Sequence, residues 1–169
     1  MIGFIDQSEV FDRGGEMRTI ALRFADNFAP DIGTIKAHQN VLNDKGYVWY
    51  GKLGSKVAKS KLDIIMSNDN PRILLIHSGK IGRYWAYISD IQSTCSDYEG
   101  IPQYYRETKD NFHTWFKIIK IEKASSDIMS KCTVISSGAK LNHASHYSMS
   151  PYFFIEVPDD LLYEDDIKE

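Results

Sequence analysis

Cysteine is scarce in this sequence. Cys95 and Cys132 are the only two, and they stand in no metal-binding or redox spacing. Residues 1–16 carry Asp6, Glu9, Asp12 and Glu16 without the apolar stretch of a secretion signal, so both cysteines are read as reduced thiols and the compartment as the cytoplasm. No apolar run approaches the ~20 residues that cross a bilayer, so no membrane-spanning helix is expected. Internal repeats and low-complexity blocks are also missing.

Catalytic signatures are equally sparse. There is no Gly-x-Ser-x-Gly elbow, and because the members of a Ser-His-Asp triad need not be adjacent, the argument against one rests on that missing turn. Gly79-Lys80-Ile81-Gly82 follows a strand-like run but lacks the glycine pattern of a phosphate-binding loop and opens no helix. His143 and His146 are three residues apart, yet residues 136–151 have little helical character to hold both rings on one face, and no carboxylate is close in sequence. His77 and His113 sit at strand ends, where a hydrogen-bonded histidine is the ordinary occupant. The acid pairs Asp159-Asp160 and Asp165-Asp166 read as solvated. No catalytic residue, metal or cofactor is therefore expected, and the chain reads as a binding protein rather than an enzyme.

The composition that remains, 43% hydrophobic and 25% charged, is that of one globular domain. The net charge of −3 hides an uneven distribution. Residues 1–16 carry −3 and residues 159–169 carry −5, leaving the body from 17 to 158 at +5. Residues 36–83 hold nine Lys or Arg against Asp44, Asp63 and Asp69. A basic stretch between acidic ends is a footprint for phosphates, or else an ordinary solvated lysine face. The domain is accordingly placed at 17–158, between an acidic lead (1–16) and an acidic tail (159–169).

Period-two alternation around Ile20, Leu22 and Phe24 predicts a first strand over 17–25. Pro30-Asp31 predicts the start of a helix, with Asp31 as its cap and Gly46 as its end. A short aromatic strand over 47–50 and the turn Gly51–Gly54 follow, and Ser55 is the expected cap of a second helix reaching Ser67. Residues 72–78 and 83–91, joined by a two-glycine loop, read as a hairpin. Residues 92–111 read as a tyrosine-bearing loop, 112–123 and 152–157 as strands, 125–130 as a short helix and 136–150 as loop. The expected fold is α+β, a small curved β-sheet or partial β-barrel flanked by helices.

Aromatic residues make up 12% of the chain, more than a core of this size requires. Trp85 and Tyr87 alternate with Tyr84 and Ala86, so one pair is expected to face in and the other out. Tyr98, Tyr104 and Tyr105 fall in the loop, where burial does not account for them. Flat side chains beside lysines suit stacking on a nucleobase, at ~1–3 kcal/mol per stack. Trp49 precedes the glycine turn and the lysine-bearing helix, which sets a ring beside groups able to hold a phosphate.

The order of these segments resembles the PUA-like superfamily, specifically its EVE and YTH branch, over most of residues 17–157. Trp49-Tyr50-Gly51, Leu62, Met66 and Ile76-His77-Ser78 follow the EVE series, with Ile76 where that series has tyrosine. Gly54-Ser55-Lys56 with Leu62-Asp63 is similar to a YTH motif carrying an insertion. The first strand departs from the usual Tyr-Trp-Leu, reading Ile20-Ala21-Leu22, and tyrosines stand where YTH domains have further cage tryptophans. The resemblance implies a module that takes a modified base of DNA or RNA into an aromatic pocket, with a separate nuclease as a possible partner. It implies base-binding roles for Trp49, Tyr50, Gly51, Ser55, Ser78, Trp85, Tyr98, Tyr104 and Tyr105, and phosphate contacts for Lys52, Lys56 and Lys59. The alternatives on the same fold are a binder of a free nucleotide or other small ligand, and a nucleic-acid-modifying enzyme.

Overall fold

In the computed structural model, which describes residues 16–161, the alternating run at the front forms β1 (Glu16–Phe24), and every other element is placed around it. α1 (Thr34–Lys45), β2 (Val48–Lys52), α2 (Lys59–Met66), β3 (Arg72–His77) and β4 (Arg83–Gln92) follow. After two short 3-10 turns at Gln103–Tyr105 and Lys109–Asn111 come β5 (Thr114–Lys123), α3 (Ile128–Lys131), β6 (Thr133–Val134), α4 (Leu141–Tyr147) and β7 (Tyr152–Pro158). The strands make one open mixed sheet in the order β2-β5-β4-β3-β1-β7-β6. β1 runs parallel to β3, pairing Ala21 with Leu74 and Phe24 with His77, and all other neighbours are antiparallel. A parallel pair needs a long crossover, here supplied by α1, β2 and α2.

The centre of the sheet is covered on both faces. Ile20, Leu22, Ile73, Leu75, Ala86 and Phe116 pack on the side of Leu42 and Ile65 from α1 and α2. Ala21, Leu74, Ile76, Trp85 and Ile155 pack on the side of Ile128, Met129 and Leu141 from α3 and α4. Trp85 and Ala86 are therefore both buried, and the expectation of one inward and one outward pair along β4 fails because this strand is central to the sheet. Both cysteines are free and buried, in separate clusters. Burial pushes the Cys132 thiol up to about 12. Among the described residues no helix is long and apolar enough to cross a membrane.

Three boundaries differ from the sequence reading. α1 starts at Thr34 because the Asp26 carboxylate, not that of Asp31, accepts the Thr34 amide (2.9 Å), with Gly33 at φ 91° turning the chain into the helix. Its end at Gly46, in the left-handed region, is as expected. α2 starts at Lys59, without Ser55 as cap, because the Val57 amide is held by Thr114 Oγ1 and keeps the preceding residues extended along β5. The region expected to be loop, 136–150, contains α4. Most of the acidic lead and tail lies outside the described residues; of the rest, Glu16 pairs with Pro158, and Leu161 is buried against the core.

α4 has one buried anchor of its own, Leu141. The rest of its hold comes from Arg23 at the end of β1. The Arg23 guanidinium donates to the carbonyls of Ser145 (2.7 Å), Ser148 (2.6 Å) and Ser150 (2.8 Å), which are acceptors at the C-terminal end of the helix and just past it. Arg23→Leu is expected to destabilise the protein by roughly 2–4 kcal/mol in denaturant unfolding. Amide exchange should accelerate in residues 144–148 before it does in the sheet.

Candidate functional site

β1, the β2 strand and the tyrosine-bearing segment converge at one end of the sheet. Leu22 and Phe24 of β1, Tyr50 of β2, and Tyr105 and Phe112 of the segment after β4 are all buried, and together they line a cavity of about 290 Å³. Phe28 (45% exposed) and Leu53 (53% exposed) also line it, so the opening is apolar. Phe28 lies flat against Tyr104, with ring centroids 5.6 Å apart and planes 10° apart. Tyr104 in turn contacts Tyr105 at 4.6 Å, and Tyr105 meets Phe112 and Trp115 edge-on. These are the offset and T-shaped arrangements that the ring quadrupole favours.

The wall is held by short-range constraints that only this geometry provides. The Gly51 amide donates to the Tyr105 hydroxyl (3.1 Å), which lies 3.3 Å from the Gly51 carbonyl. A Cβ at Gly51 would come within 3.0 Å of Phe112 and Trp115, so glycine lets the two rings close on the strand. On the other side, Asp26 joins three segments. Its Oδ1 caps α1 and its Oδ2 accepts from His77 Nε2 (2.8 Å), while His77 Nδ1 accepts the amides of Gly79 (2.9 Å) and Lys80 (3.0 Å). Both ring nitrogens of His77 are thus engaged, and this Asp–His pair is a brace rather than a general base. The Thr34 amide and then His77 hold the Asp26 carboxyl below its usual range.

The aromatic wall is neutral, and the two cations that also line the cavity, Arg23 and Lys52, are engaged by backbone carbonyls. Burial raises the phenols of Tyr50 and Tyr105 and pushes Tyr104 up to about 12, so at neutral pH all three are un-ionised. His38 is enclosed by the rings of Tyr50, Tyr104 and Tyr105. Its Nδ1–H donates to the Thr34 carbonyl (2.8 Å), and its Nε2 is buried without a partner among the described residues. Burial lowers its pKa to about 4. Two polar side chains on the cavity are uncommitted among the described residues, the Asn27 amide and the Ser78 hydroxyl. No group of His, Cys, Asp or Glu among the described residues is placed to hold a metal ion.

A family model described as Pua-like matches residues 20–154, the span that runs from β1 to β7 and includes every cavity-lining residue. The chain belongs to the Pua-like family. No curated protein and no solved structure matches it.

In this Pua-like domain, the residues expected to bind a base are divided. Tyr50, Gly51, Ser78, Tyr104 and Tyr105 line the cavity, and Trp49, Ser55, Trp85 and Tyr98 do not. Trp49 alternates away from Tyr50 along β2 and packs half-buried beside Ile101 and Trp115, with Lys117 Nζ 5.9 Å from its ring. Trp85 is sealed in the core on the α3–α4 side. Tyr98 is exposed and covered by Lys109 Nζ at 5.1 Å. Gly51 has its amide and carbonyl engaged by Tyr105, so it shapes the wall without offering polar groups to a ligand.

The expected joint surface of Lys52, Lys56 and Lys59 does not form. Lys52 is buried, donates to the carbonyls of Leu53 and Ser55 (2.9 Å each), and lies 4.8 Å from the Tyr152 ring, so it ties down the turn after β2. Burial also lowers its pKa. Lys59 is exposed and pairs with Asp63 one turn along α2. Lys56 is exposed and does not line the cavity. Asn27, Phe28, Thr34 and Phe112 are lining residues that sequence reasoning missed. The first three sit in the crossover after β1, whose only sequence signal was the Asn-Phe-Ala-Pro connection.

Two outcomes in pH follow. His38 is neutral in the fold down to about pH 4, whereas an unfolded histidine protonates near 6.5, so no penalty exists above that value. As pH falls from 6.5 to 4, the unfolded chain gains a proton that the fold refuses, and about 3 kcal/mol of stability is lost. His38→Gln, which can still donate to Thr34, should remove that slope from urea unfolding measured across the window. Asp26 is shifted in the same direction, here because hydrogen bonds favour its ionised form. Its stabilisation is present above the ordinary carboxylate range and disappears as pH falls through its lowered folded value. Asp26→Asn should therefore lower Tm clearly at pH 7 and little at pH 2.

Proposed function

We propose that this Pua-like domain is a nucleic-acid-binding module that takes an unpaired base, carrying a modification, into the cavity between β1, β2 and the tyrosine segment. The observation that carries the reading is the cavity itself: aromatic walls, an exposed Phe28 stacked on Tyr104 at the opening, and two uncommitted polar side chains, Asn27 and Ser78. Its ~290 Å³ stands at the low end of small-molecule sites, roughly 300–1,000 Å³, which favours one ring system over a dinucleotide cofactor. Family membership supports the broad class, since PUA-like domains are in general nucleic-acid-binding modules rather than catalysts. The EVE or YTH type is the closer assignment we favour, with Tyr50 and Tyr104 taking the part that the resemblance gave to Trp49. Phenols held un-ionised suit stacking and hydrogen bonding, and they lend no support to acid–base chemistry. On this reading the protein acts in the cytoplasm, and any cleavage of the recognised strand is supplied by another chain, such as a nuclease.

A base entering this site leaves its stack at a cost of a few kcal/mol and regains it against the aromatic wall. The uncommitted amide of Asn27 offers a donor and an acceptor to a base edge, and the Ser78 hydroxyl adds one of each. The size of the cavity also admits the second reading, a free nucleotide or nucleoside, which would bind with little dependence on salt.

The test is fluorescence anisotropy with a panel of single- and double-stranded oligonucleotides, each modified base paired with its unmodified control. Phe28→Ala leaves the core intact because Phe28 is exposed. It should weaken binding of the preferred oligonucleotide by roughly 1–3 kcal/mol, about 5- to 150-fold, and shrink its margin over the control. Equal binding by wild type and Phe28→Ala would remove the cavity from the function.

A further inference from the structure

A second recess lies directly beside the cavity and shares Arg23 and Ser78 with it. It measures about 460 Å³ and is bounded by the β3–β4 turn on one side and by α4 on the other, with Lys80, Arg83, Asn142 and His146 among its lining. Among the described residues no carboxylate lines it. Three fixed cations do, and they differ in what already occupies them. Arg23 is engaged by three carbonyls of the α4 region. Lys80, 77% exposed, has its nearest carboxylate, Asp26, at 3.9 Å, the outer limit of an ion pair. Arg83 makes no side-chain hydrogen bond or ion pair among the described residues, and its Nε is buried without an acceptor.

An arginine in this state is unusual, because a shielded N–H without an acceptor costs about 1–3 kcal/mol, and more on a charged group. An anion supplies what is missing: negative charge, and oxygen acceptors in the planar geometry that a guanidinium matches. The recess is mostly polar, so an apolar ligand gains little there. We infer that the Arg83–Lys80 recess holds a phosphodiester of the same single strand whose base enters the neighbouring cavity. This rests on the proposed reading of that cavity. It moves the backbone contacts from Lys52, Lys56 and Lys59, the last of which already pairs with Asp63, to the β3–β4 turn on the other side of Ser78. Ser78, common to both recesses, then stands between base and phosphate.

The experiment titrates the ¹⁵N-labelled full chain with single-stranded oligothymidylate and oligouridylate. Thymidine serves as the phosphate-free probe and inorganic phosphate as the strand-free one. The Arg83 Nε–H and the Gly79 and Lys80 amides should shift with the oligonucleotides and not with thymidine. Arg83→Gln and Lys80→Gln should each lower the slope of log affinity against log salt by about 0.7, the single-strand value per lost contact. Reversing Lys56 and Lys59 should leave the slope unchanged. Lys80 sits on an exposed turn, so its variant tests the point even if Arg83→Gln does not fold. An unchanged slope in Lys80→Gln with a silent Arg83 Nε–H overturns the inference while leaving the cavity reading intact. A response to inorganic phosphate but to no oligonucleotide overturns it in favour of a small-anion site. Shifts at the recess together with indifference to Phe28→Ala would leave a phosphodiester contact at Arg83 and Lys80 but sink the cavity reading, and with it the claim that one strand fills both recesses.

Discussion

The arrangement of this end of the molecule depends on a single carboxylate. Asp26 caps the helix that crosses from β1, and it receives the proton of His77, whose other nitrogen gathers the amides of Gly79 and Lys80. The turn after β1, the start of α1 eight residues on and the end of β3 51 residues on are thereby set at fixed distances. One carries Phe28 to the cavity opening, one supplies Thr34 to its lining, and one presents Lys80 to the adjoining recess. The two oxygens of a carboxylate can serve both neighbours at once, which the single carbonyl of an amide cannot.

The aromatic wall works by exclusion of charge. Tyr50, Tyr104, Tyr105 and His38 are all titratable in water, and burial moves each further from its charged form, raising the phenols and lowering the imidazole. Two cations also line the cavity, and neither is free. Arg23, at the boundary of the two recesses, is committed to backbone carbonyls, while Lys52 is withdrawn into the turn after β2. Neutral rings on one side of Ser78 and the Lys80 and Arg83 cations on the other give the surface two chemically distinct halves.

Much of the fold was legible because its signals are local. Alternation marked β1, two glycines marked the β3–β4 hairpin, and Gly46 marked the end of α1. What could not be read depended on distant partners. The α1 cap comes from Asp26, eight residues upstream of Thr34, and α4 is secured by Arg23, more than a hundred residues away, so its own polar sequence looked like loop. For the site, the loop tyrosines Tyr104 and Tyr105 were found from their context, since aromatics in a loop call for an explanation. Trp49 was misplaced for want of the strand's facing, which period two alone leaves undetermined by one residue. Lys52, Lys56 and Lys59, between the end of β2 and the start of α2, were singled out by density in sequence. Density does not reveal that Lys52 is buried or that Lys59 already has a carboxylate.

The position of β1 carries a consequence for how the chain is made. β1 is the first strand described, yet its two neighbours in the sheet are β3 and β7, and Glu16 meets Pro158 at the far end of the latter pairing. On the ribosome, β1 would wait, half-paired with β3 at best, while the remaining strands emerge. Its Ile20, Ala21 and Leu22 are buried only once both sides are filled. Such long-range closure slows folding, because loop entropy is lost before the contacts that offset it are made. During that interval an apolar strand edge is open to pairing with another chain, which makes β1 the segment where aggregation of nascent or destabilised protein should begin.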